Sequence, residues 1–317
     1  MEKRFEQILA RALRLRVTDI HFQLVEGHLS IDMRTISGIQ HLPESEEDVR
    51  LFNYLQYLSH LDVSSRLPQT GGFSYYFRGH YYDFRLAVIT TLKSRDGVLR
   101  ILNCHDGLKL EQLTDDQQIR DIFASLLERR CGLIIFSGLT GSGKTTTMYS
   151  LLSKITGRSI YSLEDPIEVL QDNIVQLQIN ERAGLDYDAA IRQILRHNPD
   201  VLMIGEIRDE KTAQMAVRAA LTGVLVFTSL HASSVTGAIR RMLDLGVSGN
   251  DLAEVTGYIF CQRLVKRRDL RQYTGIYDYL TEQQVAEYLS GKPVTGHLEE
   301  RLQAARKAGI IEGECHG

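Results

Sequence analysis

Gly132-Leu-Ile-Ile-Phe136-Ser-Gly138-Leu-Thr140-Gly141-Ser142-Gly143-Lys144-Thr145-Thr146-Thr-Met-Tyr-Ser-Leu-Leu152 decides the fold class of this chain. Leu133–Phe136 is an apolar, β-branched run of strand length. Gly138 to Thr145 then spells GxxxxGK[ST], and Thr145 to Lys154 reads as a helix. Strand, glycine-rich loop and helix in that order are the context a phosphate-binding loop requires. Its glycines let successive backbone N–H groups turn inward around a β-phosphate at the positive end of the helix. Lys144 then neutralises β and γ oxygens, and the Thr145 hydroxyl is offered to Mg²⁺. A ligand-free strand–helix turn is the competing reading, and motif and context together set it aside.

Downstream, strand-sized runs alternate with helical patterns: SIYSL, IVQLQI, VLMIG and VLVFTSL. Buried strands separated by helices predict an α/β domain with a largely parallel sheet. Three of these runs end in polar residues of interest. Ile160–Leu163 leads into Glu164-Asp165-Pro166, and a carboxylate there either projects into the ligand crevice of an open sheet or caps the turn closed by the proline. Val201–Ile204 leads into Gly205-Glu206, an apolar strand ending in the acid that handles Mg²⁺ or the attacking water in most phosphate-loop sites. An Asp-Glu pair is common there; with Gly205 in the Asp place, Glu206 serves alone or with Glu164. Leu225–Leu230 leads into His231, which can exchange one hydrogen bond when neutral or sense a γ-phosphate when protonated.

Upstream the period changes. Phe5, Ile8, Leu9, Ala12 and Leu13 recur at helical spacing, and Ile20, Phe22, Leu24 turn at Glu26-Gly27 into Leu29, Ile31, Met33 as a hairpin. Ser45 to Asp48 resembles a capping box ahead of a helix, and further alternation follows at Phe73–Phe77, Tyr82–Val88 and Val98–Leu102. Residues 1–104 therefore read as a smaller α+β domain, 105–112 as a linker without period, and 113–317 as the ATPase domain with a helical C-terminal part. Within that part Thr114 to Gln117 is expected to cap a helix, and YDYLTEQQVAEYL (277–289) suggests another. The 317 residues favour two domains at roughly 150 each. With 37 basic and 40 acidic residues the formal charge is −3, which argues against a dedicated nucleic-acid binder. The run RLVKRRDLR (263–271) is the only counter-evidence, and such a run is usually a solvated face or a contact for acidic lipid. Cys104, Cys131, Cys261 and Cys315 form no CxxC pair, so no zinc ribbon is expected. The N-terminus lacks a signal peptide and no apolar run reaches about 18 residues. A cytoplasmic chain is expected, held at the membrane face through a partner.

Taken together, the motifs resemble those of the secretion and type IV pilus assembly ATPases, the traffic ATPases. SGLTGSGKTTTMYSLL (137–152) resembles their Walker A segment, SLEDPIE (162–168) their Asp box, LRHNPDVLMIGEIRD (195–209) their Walker B segment and TGVLVFTSLHASS (222–234) their His box. VTDIHFQ (17–23), AIRRMLDLGV (238–247) and CQRLVKR (261–267) extend the likeness over about residues 6 to 268. The resemblance implies a RecA-like domain that binds ATP and Mg²⁺. Gly138, Thr140, Gly141, Ser142, Gly143, Lys144, Thr145 and Thr146 would hold the nucleotide. Thr145, Glu164 and Glu206 would surround the metal and water, and His231 would approach the γ-phosphate. Arg85 in FRLAV and Arg100 in VLRIL match arginines that reach toward the nucleotide from the N-terminal domain. Three departures stand out. His197-Asn198-Pro199-Asp200 replaces the more usual Asp-Pro-Asp, Val224 stands for a frequent His, and TTLKSRDGV (90–98) departs so far that Arg95 competes with Arg100.

Only one helix precedes the VTDIHFQ-bearing domain, and no tetracysteine module follows Arg267-Arg268. That short form resembles the competence pseudopilus branch, whose members drive assembly of a pilus-like fibre for DNA uptake. The expectation is therefore a Mg-ATP hydrolase, hexameric by resemblance, acting on a membrane platform protein, with no direct nucleic-acid contact and no zinc. A general secretion, pilus-extension or retraction ATPase is the alternative within the family. An ATP-gated scaffold with little turnover is the alternative outside it, and intact Lys144, Glu164 and Glu206 count against that reading.

Overall fold

The computed structural model describes all residues except 16, 18, 36–37, 103–108, 181–183, 269–272 and 312–317. The chain divides into two compact units, Met1–Asp106 with Glu168–Leu170, and Gly107–Ile167 with Gln171–Gly317. Of the expected linker, 105–108 lies outside the described residues, and the remainder carries a short helix, α3 (Leu110–Leu113).

In the first unit, α1 (Glu2–Leu15) buries Phe5, Ile8, Leu9 and Ala12 along one stripe. β1 (Asp19–Val25) and β2 (His28–Thr35) form the hairpin, with Ile20 opposite Met33, Phe22 opposite Ile31 and Leu24 opposite Leu29. A short β3 (Gly38–His41), which no alternation announces, pairs with β2. α2 (Asp48–Leu58) follows, then β4 (Gln69–Phe77), β5 (His80–Thr90) and β6 (Ser94–Ile101). The sheet runs β3-β2-β1-β6-β5-β4, antiparallel throughout. Period-two alternation puts Ile20, Phe22, Phe84, Leu86 and Leu99 into one core with the apolar residues of α1 and α2. The capping box is only half made. Asp48 accepts from the Ser45 N–H at 2.8 Å, while the N-cap Glu47 gives no side-chain bond.

The second unit is a seven-stranded sheet ordered β13-β12-β7-β11-β10-β8-β9. After α4 (Gln117–Glu128) come β7 (Gly132–Ser137), α5 (Lys144–Leu152), β8 (Ile160–Glu164), β9 (Val175–Gln178), α6 (Tyr187–Leu195), β10 (Val201–Ile204), α7 (Glu210–Leu221) and β11 (Leu225–Leu230). α8 (Val235–Asp244) and α9 (Gly249–Val255) lead to β12 (Thr256–Lys266), β13 (Tyr273–Thr281), α10 (Glu282–Leu289) and α11 (Leu298–Lys307). β9, β8, β10, β11, β7 and β12 run parallel, and β13 returns antiparallel to β12. β7, β10 and β11 are buried along their whole length, which is why they read as unbroken apolar runs.

Two expectations need correction here. α4 is capped by Asp116, which accepts from Gln118 and Ile119 N–H, and not by Thr114. The stretch 277–289 is not one helix: its first part, through Thr281, completes β13, and α10 starts only at Glu282 behind a Thr281/Gln284 capping box. β13 is covered on both faces. Ile276 and Leu280 join the core that holds Leu298 and Leu302 of α11, while Tyr277 meets Phe123 of α4 edge-on at 5.1 Å. A strand covered on both faces shows no alternation to distinguish it from a helix.

Candidate active site

Register places the chemistry. In the parallel sheet Ile204 lies opposite Leu163 and Thr228, and Leu230 lies opposite Ser137, so β7, β11, β10 and β8 end along one edge. The phosphate loop, His231, Glu206 and Glu164 issue from those four ends. Ligands of open α/β sheets bind outside the carboxyl ends of the strands.

The loop is shaped by glycines in conformations L side chains avoid: Gly138 at φ 146°, Gly141 at 78° and Gly143 at 86°. Gly143 is the N-cap of α5, so the first free N–H groups of that helix belong to Lys144, Thr145 and Thr146. Lys144 is only 7% exposed, and its Nζ donates to the Gly138 and Leu139 carbonyls at 2.9 and 3.0 Å. Ser142 Oγ is buried without a hydrogen-bond partner. A buried ammonium held by weak neutral acceptors, an orphaned hydroxyl and a helix N-terminus suit a polyanionic phosphate.

Glu164 does not cap the proline turn. It is 3% exposed, and its carboxylate accepts from Tyr149 of α5, from Ser162 Oγ at 2.6 Å and from Gln176 Nε2 of β9 at 3.1 Å. Three neutral donors fix its direction. Gly205 explains the missing Asp: a Cβ there would stand 3.2 Å from the Leu163 carbonyl and 3.6 Å from Glu164 Cγ, so glycine lets the β8 and β10 ends close up.

Glu206 is placed differently. One oxygen pairs with the Arg208 guanidinium, and Oε2 lies 3.1 Å from His231 Nε2. Arg208 also reaches Asp165 at 3.7 Å. Tyr187 of α6 stands over the same acids; burial, then the charges of Asp165 and Glu206, pushes its phenol well above the usual range. Sequence reasoning missed Tyr149, Gln176, Tyr187 and Arg208. Only Arg208 left a signal, two residues after Glu206.

Arg85 and Arg100 belong to the first unit, directly opposite one another on β5 and β6. Arg100 Nε donates to Asp19 Oδ1 at 2.7 Å. Arg95, six residues from the end of β6, pairs instead with Thr90 and Leu24.

A magnesium ion would find oxygens only. Among the described residues no trio of His, Cys, Asp and Glu could hold a metal by itself. Mg²⁺ is ordinarily carried by substrate phosphates, waters and one or two carboxylates. The half-buried Thr145 at the first turn of α5, with Glu164 and Glu206 at neighbouring strand ends, fits that demand.

Comparison with known proteins agrees with this geometry. Residues 1–312 match the family described as type II/IV secretion system protein. The competence protein ComGA of Bacillus subtilis (strain 168) is 36% identical over 271 residues, 84% of this chain and 76% of that protein. The putative type II secretion system protein E of Escherichia coli (strain K12) is 36% identical over 278 residues, 85% of this chain; the chain spans only 56% of that relative's length. Among solved structures, the pilus retraction motor PilT with bound ADP matches at a TM-score of 0.75 and 26% identity, over 97% of this chain and 94% of PilT. The Legionella pneumophila ATPase DotB matches at 0.79 and 21% identity, over 98% of this chain and 93% of its own, a likeness of fold. With its phosphate loop, strand-end acids and family match over nearly its whole length, the chain belongs to the type II/IV secretion system protein family, the traffic ATPases.

Proposed function

We propose that this chain hydrolyses ATP to drive assembly of a pilus-like fibre for DNA uptake. The observation that carries the chemistry is the convergence of phosphate loop, Glu164, Glu206 and His231 on one sheet edge. The similarity to the competence protein supports the biological half. Gly138, Thr140, Gly141, Ser142, Gly143, Lys144, Thr145 and Thr146 hold the phosphates, and Lys144 balances charge on the β and γ oxygens. Thr145, Glu164 and Glu206 would hold Mg²⁺, which when bound would supply neutralisation of the β- and γ-phosphate charge. Glu164, locked by three donors, suits orientation. Glu206 suits proton transfer: its carboxylate orients a water, accepts the proton as the new oxygen–phosphorus bond forms and the β–γ bridge breaks, and returns it to the departing phosphate. His231, now on Glu206 Oε2, turns to the γ-phosphate when nucleotide enters. Arg85 and Arg100 complete the charge clamp when the first unit closes over the loop of its own or a neighbouring chain. A homo-hexameric ring on the cytoplasmic face of the membrane, working against a platform protein, would turn that closure into movement. Among the described residues no helix is long and apolar enough to cross a membrane.

The second reading is a secretion ATPase, favoured by the equal 36% identity to the E. coli secretion protein. Replacing the gene in its host by the Lys144→Ala form separates the two. Loss of transformation by added DNA with normal protein export supports the uptake motor; the opposite pattern overturns it.

A further inference from the structure

Most of the CQRLVKR segment lies on β12, and Gln262 within it is 3% exposed. Its register partner across the β12–β13 ladder is Tyr277, so both side chains leave the same face. They meet on α5. Thr147 Oγ1 donates to Gln262 Oε1 at 3.1 Å, and Tyr277, fully buried, shares a 2.8 Å hydrogen bond with the same hydroxyl. Since the single Thr147 proton goes to Gln262, Tyr277 is the donor in the second bond. Gln262 also walls the phosphate loop at both ends. Its backbone carbonyl oxygen stands 2.5 Å from where a Gly138 Cβ would be, and its side-chain amide nitrogen 3.0 Å from where a Gly143 Cβ would be. Farther up the same strand, the Ser137 hydroxyl at the entry to the loop donates to Phe260 O at 2.9 Å. One residue thus touches the loop's first glycine, its last glycine and the helix that follows.

We propose that Gln262 is a positioning residue for the phosphate loop. Held by Thr147 and Tyr277, it fixes the distance between Gly138 and the start of α5, and with it the span into which the phosphates fit. The buried triad costs little by itself, because each member satisfies another. Its specific contribution is to loop shape, which a purely apolar core would leave less determined. The inference rests on the ATP-binding reading above.

The test is the affinity of the full chain for a fluorescent ATP analogue in the presence of chelator, alongside steady-state kinetics and the unfolding midpoint without nucleotide. In Gln262→Leu, Thr147 and Tyr277 keep each other as partners, so no hydroxyl is orphaned. Affinity is expected to fall about tenfold, the order set by one lost buried hydrogen bond, with KM rising in step and kcat changing less than about threefold. Thr147→Ser, which keeps the hydroxyl, retains affinity within about twofold, whereas Thr147→Val reproduces the loss. A role confined to core packing would instead lower the midpoint and leave the affinity of the folded protein untouched, and that result overturns the proposal. Should Gln262→Leu fail to fold, the Thr147 pair decides alone, since equal affinity of Ser and Val forms overturns it too. Failure of the wild-type chain to bind the analogue overturns the ATP-binding reading itself; wild-type binding with unchanged variants overturns only the role of Gln262.

Discussion

The two acids at the sheet edge differ in their company more than in their position. Glu164 is held by three neutral donors, Glu206 by a guanidinium and an imidazole. A carboxylate partly open to solvent and flanked by charged partners is placed to meet a water, whereas one sealed by a tyrosine and two further donors serves better as a fixed post. Glu206→Gln keeps the shape and removes proton acceptance. It should retain ATP binding while hydrolysis slows about 10²-fold or more, measured by analogue binding and single-turnover phosphate release. Collapse of binding with normal turnover per bound ATP would remove the proton-transfer role and leave Glu206 only its part in holding the metal. The placement of Lys144, Glu206 and His231 beyond the strand ends of one sheet was legible in the sequence, because each follows an apolar run at short spacing. Tyr149, Gln176 and Tyr187 were not, because their meeting with the acids depends on how α5, β9 and α6 pack, which no spacing records.

Among the elements, α5 is the one on which loop, acid and hairpin converge, through Gly143, Tyr149 and Thr147. Gly143→Ala forces a β-carbon onto a backbone at φ 86° and to 3.0 Å from Gln262 Nε2. A left-handed L residue costs about 1–2 kcal/mol. The unfolding midpoint should fall by several degrees and nucleotide affinity with it; a midpoint equal to wild type would show that the loop relaxes freely. β13 carries a second test. Burial pushes the Asp278 carboxyl above its ordinary value, although it accepts from the His297 and Tyr279 N–H groups, both at 2.9 Å, and Arg301 pulls the other way. A raised folded pKa means the native state holds its proton longer. The contribution of Asp278 is therefore fully present below the unfolded carboxylate range near 4 and is lost as pH rises through the folded value. Thermal midpoints of wild type and Asp278→Asn should thus move in favour of the Asn form as pH goes from about 4 to 7. A pH-independent gap would contradict this. The parallel strands were readable as apolar runs between helices, whereas β12 and β13 were not: covered on both faces, they carry tyrosines, a glutamine and an aspartate that mimic helical mixing.

At the scale of the whole molecule, the proposed reaction draws on both units. The second would supply the loop and the acids; the first would supply Arg85 and Arg100, which lie opposite one another on β5 and β6. Their alternating strands made the first unit's sheet legible, but nothing in its sequence apart from family resemblance marks these two arginines among the polar residues of its strands. Arg85→Ala should lower hydrolysis much more than ATP affinity, as contacts made in the transition state do; equal losses in both would reduce Arg85 to a binding contact. Assembly follows mass action, so turnover per chain should also climb with protein concentration. The most direct measurement is steady-state phosphate release by the purified full chain, with ATP and Mg²⁺, over a dilution series beside Lys144→Ala. On this account wild-type turnover per chain rises on concentration, and the Lys144→Ala form is indistinguishable from the buffer blank. Hydrolysis by Lys144→Ala at the wild-type rate would contradict it.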